Sequence, residues 1–193
     1  MKILTFFISF LIGLVFSSFS QELPIVLITY YSQSGNTEQL AQSVAEGAKS
    51  IEKVEVRLLP IEQVKESDLL EASAIIVGSP VYNANIAPAV QEFINSWPFE
   101  GSPMKNKIGA AFSTGGGVSI GEELVMLNIL HSMLIYGMIV AGGEETEAAF
   151  GASAVTGEGP FEGENIDELF LRKGFGLGSR VAKLVLSHSS RLE

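Results

Sequence analysis

Hydroxyl and amide side chains are concentrated in six consecutive residues near the start of the chain, Ser32-Gln33-Ser34-Gly35-Asn36-Thr37. This segment lies between the apolar run 24–31, which predicts a buried strand, and an apolar stripe of helical spacing that begins at Leu40. At the start of a helix the first N–H groups are unpaired and point outwards, and neighbouring hydroxyls add donors. The segment therefore predicts a phosphate-binding loop. The alternative is that its serine and threonine side chains only cap the helix.

The residue types of this loop exclude two common nucleotide sites. The loop contains no Lys or Arg, so it lacks the Gly-Lys-Ser/Thr sequence with which a Walker loop binds a nucleoside triphosphate and magnesium. It also lacks the G-x-G-x-x-G pattern of a dinucleotide site. Hydroxyls and backbone amides alone suit a monophosphate that stays bound rather than a phosphoryl group that leaves.

Two further segments follow apolar runs directly and are candidate ligand loops. The first follows the run 74–79 and consists of Pro80-Val81-Tyr82-Asn83-Ala84-Asn85. The second begins at the end of the run 108–113 and consists of Ser113-Thr114-Gly115-Gly116-Gly117-Val118. The alternatives are a turn whose tyrosine packs on the core, for the first segment, and a flexible linker, for the second.

These loops must be positioned by the apolar runs and helical segments that alternate along the chain. The predicted strands are residues 24–31, 54–59, 74–79, 108–113 and 138–141, with 54–59 at or near an edge because its apolar and charged residues alternate. The predicted helices are the stripe 40–51, residues 87–96, residues 122–136 and a last helix opened by a capping box at 165–168. Residues 142–163 are rich in glycine, without periodicity, and are predicted as a loop.

This order predicts an α/β fold: a doubly wound, five-stranded parallel sheet with helices on both faces. Ligands of such sheets bind outside the carboxyl ends of the strands, so the three candidate loops are expected to share one edge.

Gly174, Gly176 and Gly178 resemble part of a dinucleotide motif but lie inside the last helix. They are therefore predicted to allow close helix packing instead.

The composition excludes several classes of partner and of chemistry. The 193 residues carry 12 Lys and Arg against 22 Asp and Glu, a formal charge of −10, and no basic cluster, which argues against nucleic acid as a partner. The absence of cysteine excludes disulfides, thiolate nucleophiles and iron–sulfur clusters. His131 and His188 are the only histidines, which leaves little for a histidine-rich metal site.

The first 20 residues have the order of a secretory signal peptide. Lys2 precedes an apolar run of 14 residues, 3–16, and small residues then lead to a predicted cleavage between Ser20 and Gln21. The run is shorter than the ~20 residues that span a bilayer. We therefore predict export to the periplasm and a mature domain of residues 21–193. The alternatives are an uncleaved anchor or a buried first strand.

The loop that opens the chain's first helix resembles the phosphate loop of the flavodoxin superfamily. That family's pattern for FMN is Ser/Thr-x-Ser/Thr-Gly-x-Thr, which Ser32, Ser34, Gly35 and Thr37 match completely. More specifically, the chain resembles the WrbA-type NAD(P)H:quinone oxidoreductases in residues 78–93, 112–117 and 150–184.

The resemblance implies FMN as cofactor, NAD(P)H as electron donor, a quinone-like acceptor and a homo-oligomer, either a dimer or a tetramer. FMN phosphate would lie at residues 32–37, and the flavin ring would lie between residues 80–85 and the N–H groups of residues 113–118. The family carries a histidine over the flavin where this chain has Ile135-Tyr136-Gly137. Tyr136 is therefore the candidate catalytic residue.

Two other functions fit parts of the sequence. One is a one-electron carrier protein, whose acidic surface would attract basic partners. The other is a serine hydrolase, because Gly117-Val118-Ser119-Ile120-Gly121 matches the G-x-S-x-G pattern and Asp167 and His188 follow in hydrolase order. However, that pattern needs its serine immediately after a strand, and here residues 114–117 intervene.

Overall fold

The computed structural model describes residues 22–189. The predicted signal peptide, residues 1–20, and its cleavage point fall outside the described residues, so both remain predictions. Among residues 22–189, none of the helices combines the length and the apolar character that a membrane span requires.

Strands and helices largely alternate over the described chain, as the hydrophobic pattern predicts, but residues 66–71 form a short helix that the pattern does not predict. The strands are β1 (Ile25–Tyr30), β2 (Glu55–Pro60), β3 (Ala72–Tyr82), β4 (Asn85–Ile86), β5 (Ile108–Gly115), β6 (Ile139–Val140) and β7 (Ala152–Val155). The helices are α1 (Asn36–Lys49), α2 (Glu66–Glu71), α3 (Pro88–Asn95), α4 (Glu122–Ile135) and α5 (Glu168–Ser189).

The main sheet is parallel, and its strands lie in the order β2-β1-β3-β5-β6. Successive residues of β1 face opposite sides, so Val26 and Ile28 pack with α1 and α5, whereas Leu27 packs with α3 and α4. Helices therefore cover both faces, which confirms the predicted doubly wound α/β fold. The strand β2 lies at the edge, as its alternating pattern predicts.

The fifth position of the sheet is shared by two short strands. β6 pairs with the start of β5 (Ile108 opposite Ile139), and β7 pairs with its end (Phe112 opposite Ala152). The prediction that residues 142–163 form only a loop is therefore wrong for β7. Four small or short side chains between glycine-rich segments give too brief an alternation to be recognised as a strand.

Two predicted boundaries also differ from the structure. β3 continues past residue 79 to Tyr82 and turns back into β4, because Val81 pairs with Ile86 across a tight hairpin. The last helix begins at Glu168, and the Asp167 carboxylate accepts a hydrogen bond from the Leu169 N–H at 2.8 Å. Asp167, rather than the predicted capping box at residues 165–168, therefore caps α5.

Candidate functional site

The three candidate segments lie at the carboxyl ends of β1, β3 and β5, which are neighbouring parallel strands. Residues 80–82 still belong to β3, and residues 113–115 still belong to β5. The register places Tyr30 opposite Gly78 and Pro80 opposite Thr114, so these strands end at the same edge of the sheet. The structure therefore brings residues 32–37, 80–85 and 113–118 together, at the carboxyl edge where ligands of this fold class bind.

The loop after β1 leaves the start of α1 open. Gly35 precedes the helix with φ of 88°, a left-handed conformation that glycine adopts without strain, and no side chain caps the helix. The Ser32 hydroxyl accepts the Gly35 N–H at 3.1 Å and so shapes the loop instead of capping the helix. Within residues 22–189 the side chains of Ser34 and Asn36 form no hydrogen bond. The donors at the first turn of α1 are therefore free to bind an anion.

Thr37 connects this loop to residues 113–118, the glycine loop at the end of β5. Its hydroxyl lies 2.8 Å from the hydroxyl of Thr114, and both residues are buried. The start of α1 is therefore fixed against the end of β5.

The hairpin after β3 is a second boundary of the site. Asn83 and Ala84 both have positive φ, 50° and 61°, which is the geometry of a two-residue type I′ turn. The Tyr82 hydroxyl donates a 2.7 Å hydrogen bond to Gln33 Oε1 and so joins the hairpin to the loop after β1. Burial raises the pKa of the Tyr82 phenol, so this hydroxyl stays protonated and can donate at neutral pH.

Carboxylates face the glycine loop on two sides. A Cβ on Gly115 would lie 2.6 Å from Glu122 Oε1, and a Cβ on Gly117 would lie 2.6 Å from Glu158 Oε2. The same Glu158 oxygen accepts the Val118 N–H at 2.7 Å. Gly116, in contrast, has no atom within 4 Å of its Cβ position. Open space therefore adjoins the middle of the loop.

Sequence reasoning missed both carboxylates. Glu122 is the first residue of α4, a position that is usually solvated, yet it is only 8% exposed. Glu158 lies 40 residues beyond Val118 in a segment with several similar glutamates, so no local pattern singles it out.

Ser113 is also buried, and its hydroxyl has no partner among the described residues. No group of three or more His, Asp or Glu residues in the described range could hold a metal ion.

Tyr136 lies away from these loops. It follows α4, which returns to the amino edge of the sheet, where β6 pairs with the start of β5. Its hydroxyl donates to the Ile94 carbonyl oxygen at 2.8 Å, and its ring packs on Trp97 and Phe99. The structure therefore does not bring Tyr136 to the predicted flavin loops, and this position does not support a catalytic role within one chain.

The residues of the hydrolase interpretation are also dispersed. Ser119 lies in the loop before α4 at the carboxyl edge, whereas His188 lines a groove with Ile108 and Ile139 at the amino edge. The Asp167 carboxylate is used to cap α5. The described structure therefore contains no serine–histidine–aspartate arrangement of these three residues.

Comparisons with known proteins agree with this architecture. A family model described as NADPH-dependent FMN reductase matches residues 25–151. A flavodoxin of Aquifex aeolicus is 33% identical over 178 residues, which are 87% of this chain and 92% of that protein. A flavodoxin of Clostridium saccharobutylicum is 34% identical over 119 residues, 61% of this chain and 72% of that protein.

A solved structure has the same fold. The flavodoxin, WrbA-like protein from Agrobacterium tumefaciens has a TM-score of 0.69 at 21% identity, and the match covers 86% of this chain and 99% of that one. The fold, the position of the candidate loops and the family match lead to one conclusion. The chain has a flavodoxin-like fold and belongs to the NADPH-dependent FMN reductase family.

Proposed function

We propose that the protein is an FMN-dependent oxidoreductase that takes two electrons from NAD(P)H and transfers them to a quinone-like acceptor. The family description, NADPH-dependent FMN reductase, supports both the flavin and the nicotinamide donor. The sequence resemblance to WrbA-type NAD(P)H:quinone oxidoreductases in residues 78–93, 112–117 and 150–184 supports the quinone-like acceptor.

The observation that carries the proposal is the open start of α1. Gly35 has no atom within 4 Å of its Cβ position, and no side chain caps the helix. The residues around this opening fit a phosphate group: the free side chains of Ser34 and Asn36, the Ser32 hydroxyl and the first-turn N–H groups. Because no cation is present in the loop, the helix dipole and the neutral donors would bind the FMN phosphate.

The flavin ring would lie between the hairpin after β3 and the glycine loop after β5. Tyr82 and Asn85 lie on the hairpin side, and the N–H groups near Gly116 lie on the other side. Bound FMN would supply the redox chemistry by accepting hydride at N5 and passing electrons to the acceptor. The chain's own residues would bind the phosphate, orient the ring and donate hydrogen bonds to its pyrimidine edge.

The direct test is steady-state oxidation of NADH and NADPH by FMN-loaded protein with benzoquinone as acceptor. We expect oxidation that depends on both FMN and benzoquinone. If neither nucleotide is oxidised, the reductase proposal is wrong even if FMN binds.

A one-electron carrier is the second candidate. Two relatives at 33% and 34% identity are flavodoxins, and the formal charge of −10 would attract a basic redox partner. A carrier would oxidise neither nucleotide directly, and a reductive titration of its FMN would show two well-separated one-electron potentials. A reductase would show a single two-electron transition.

The export and assembly of the protein also remain proposals. We propose that residues 1–20 direct the chain to the periplasm and that the mature domain forms a dimer or tetramer. Amino-terminal sequencing of the periplasmic fraction should give Gln21, and light scattering should give a multiple of the monomer mass. A periplasmic chain that retains Met1 would contradict the proposed cleavage. A monomer in light scattering would contradict the proposed assembly.

A further inference from the structure

Glu158 reaches the candidate site from a segment that the flavin loops do not include. Its Oε2 atom accepts the Val118 N–H at 2.7 Å and lies 2.6 Å from the position that a Cβ of Gly117 would take. A side chain at residue 117 would collide with the carboxylate. The glycine therefore makes room for Glu158 as well as for a ligand.

The base of the Glu158 segment is fixed, but its carboxylate is held by a single hydrogen bond. The N–H and hydroxyl of Thr156 both donate to the Gly115 carbonyl oxygen, at 2.9 Å and 3.2 Å. Beyond this anchor, Glu158 is exposed, and its carboxylate forms no ion pair within residues 22–189. The Val118 N–H is its one hydrogen-bond donor there. The side chain can therefore leave the loop by breaking one hydrogen bond.

A carboxylate oxygen and a ring carbonyl oxygen are both acceptors and compete for the same donor. We infer that Glu158 is an internal competitor for the ligand of the glycine loop: it occupies the Val118 N–H until the pyrimidine edge of FMN replaces it. This inference rests on the proposed function. It adds that the protein binds FMN more weakly than its loops allow.

The charge of Glu158 acts in the same direction. A carboxylate makes a stronger hydrogen bond to an N–H than a neutral acceptor does, so the ligand must displace a strong internal contact. Breaking this contact lowers the affinity for FMN, so removal of the carboxylate should make FMN bind more tightly. The opposite result is expected if Glu158 supports the loop in its binding conformation.

The test is a titration of FMN-free protein with FMN, followed by quenching of flavin fluorescence, for wild type, E158A and E158Q. Glu162→Gln is the matched control, because Glu162 is an exposed glutamate of the same segment and forms no hydrogen bond within the described range. We expect E158A to lower the FMN dissociation constant about tenfold, as for the loss of one competing charged hydrogen bond. E158Q should fall between, and E162Q should match wild type.

A second measurement needs no FMN. Hydrogen exchange at the Val118 amide of FMN-free protein should be slow in wild type and E162Q and fast in E158A. If wild type binds FMN and E158A binds it equally or less tightly, the inference is wrong, whereas the FMN binding that the proposed function requires is present. If no variant binds FMN, the proposed function fails. Fast exchange of Val118 in wild type would also overturn the inference.

Discussion

The buried hydroxyl groups of Thr37 and Thr114 lie 2.8 Å apart and join the first turn of α1 to the end of β5. These residues are 77 positions apart in the chain, and each belongs to a different loop of the candidate site. Because the phosphate loop and the glycine loop share this contact, a substitution at either threonine should alter both loops.

Thr114→Val should destabilise the fold, because it leaves the buried Thr37 hydroxyl without a partner. We expect a loss of about 1–3 kcal/mol in the free energy of unfolding, measured by urea denaturation, together with weaker FMN binding. Thr146→Val, at an exposed position, is the control. The double variant Thr37→Val with Thr114→Val should cost less than the sum of the single changes, since no polar group is then left unpaired. Additive losses would contradict the contact.

Gly35→Ala and Gly116→Ala should separate conformational strain from ligand contact. Both glycines have open space at the Cβ position, but only Gly35 has a positive φ, 88°. Gly35→Ala should therefore lower the free energy of unfolding by about 1 kcal/mol. Gly116→Ala should leave stability unchanged and weaken FMN binding, because its methyl group enters the space assigned to the ring. Equal stability losses in thermal or urea unfolding would argue against this difference.

Gly178→Ala and Gly176→Ala test the packing of α5 on α1. A Cβ at Gly178 would lie 1.9 Å from the Val44 carbonyl oxygen, whereas the nearest atom to a Cβ at Gly176 is Glu144 Cβ at 3.5 Å. Gly178→Ala should therefore cost about 1–3 kcal/mol or more. Gly176→Ala should be neutral or stabilise by up to about 1 kcal/mol through helix propensity. If Gly178→Ala has the same melting temperature as wild type, α1 and α5 are less closely packed than described.

Tyr136→Phe should leave NAD(P)H oxidation and FMN affinity unchanged, because the tyrosine lies at the amino edge of the sheet. Loss of its 2.8 Å hydrogen bond to the Ile94 carbonyl oxygen should cost about 1 kcal/mol of stability. Tyr82→Phe is the matched change at the candidate site, where it removes the hydrogen bond to Gln33. It should weaken FMN binding. If Tyr136→Phe loses most of its NAD(P)H oxidation activity and Tyr82→Phe does not, Tyr136 takes part in catalysis and this placement is wrong.

The parts that sequence predicts well are those with a local signal. A buried run, a hydroxyl-rich loop and a helical stripe follow one another within residues 24–51, and the structure has β1, the open loop and α1 at these positions. The close approach predicted for the glycines of the last helix is confirmed at Gly174 and Gly178, which nearly touch α1, but not at Gly176.

The parts that sequence does not reveal depend on contacts between distant residues. β7 is a strand because it completes the pairing of β5 beyond the point where β6 ends, and not because of its own four residues. Glu158 differs from its neighbouring glutamates only through the Val118 N–H that it meets in the folded chain. The resemblance to the family predicts Tyr136 near the flavin, but the direction of α4 places it at the other edge of the sheet.

The central claim is that the open start of α1 binds the phosphate of FMN. It is tested most directly by titrating the FMN-free protein with FMN and with riboflavin, which has the same ring but no phosphate, and following fluorescence quenching. We expect FMN to bind at least about a hundredfold more tightly than riboflavin, as for two or more charge-assisted hydrogen bonds. Equal affinity for the two flavins, or no binding of either, would contradict the account.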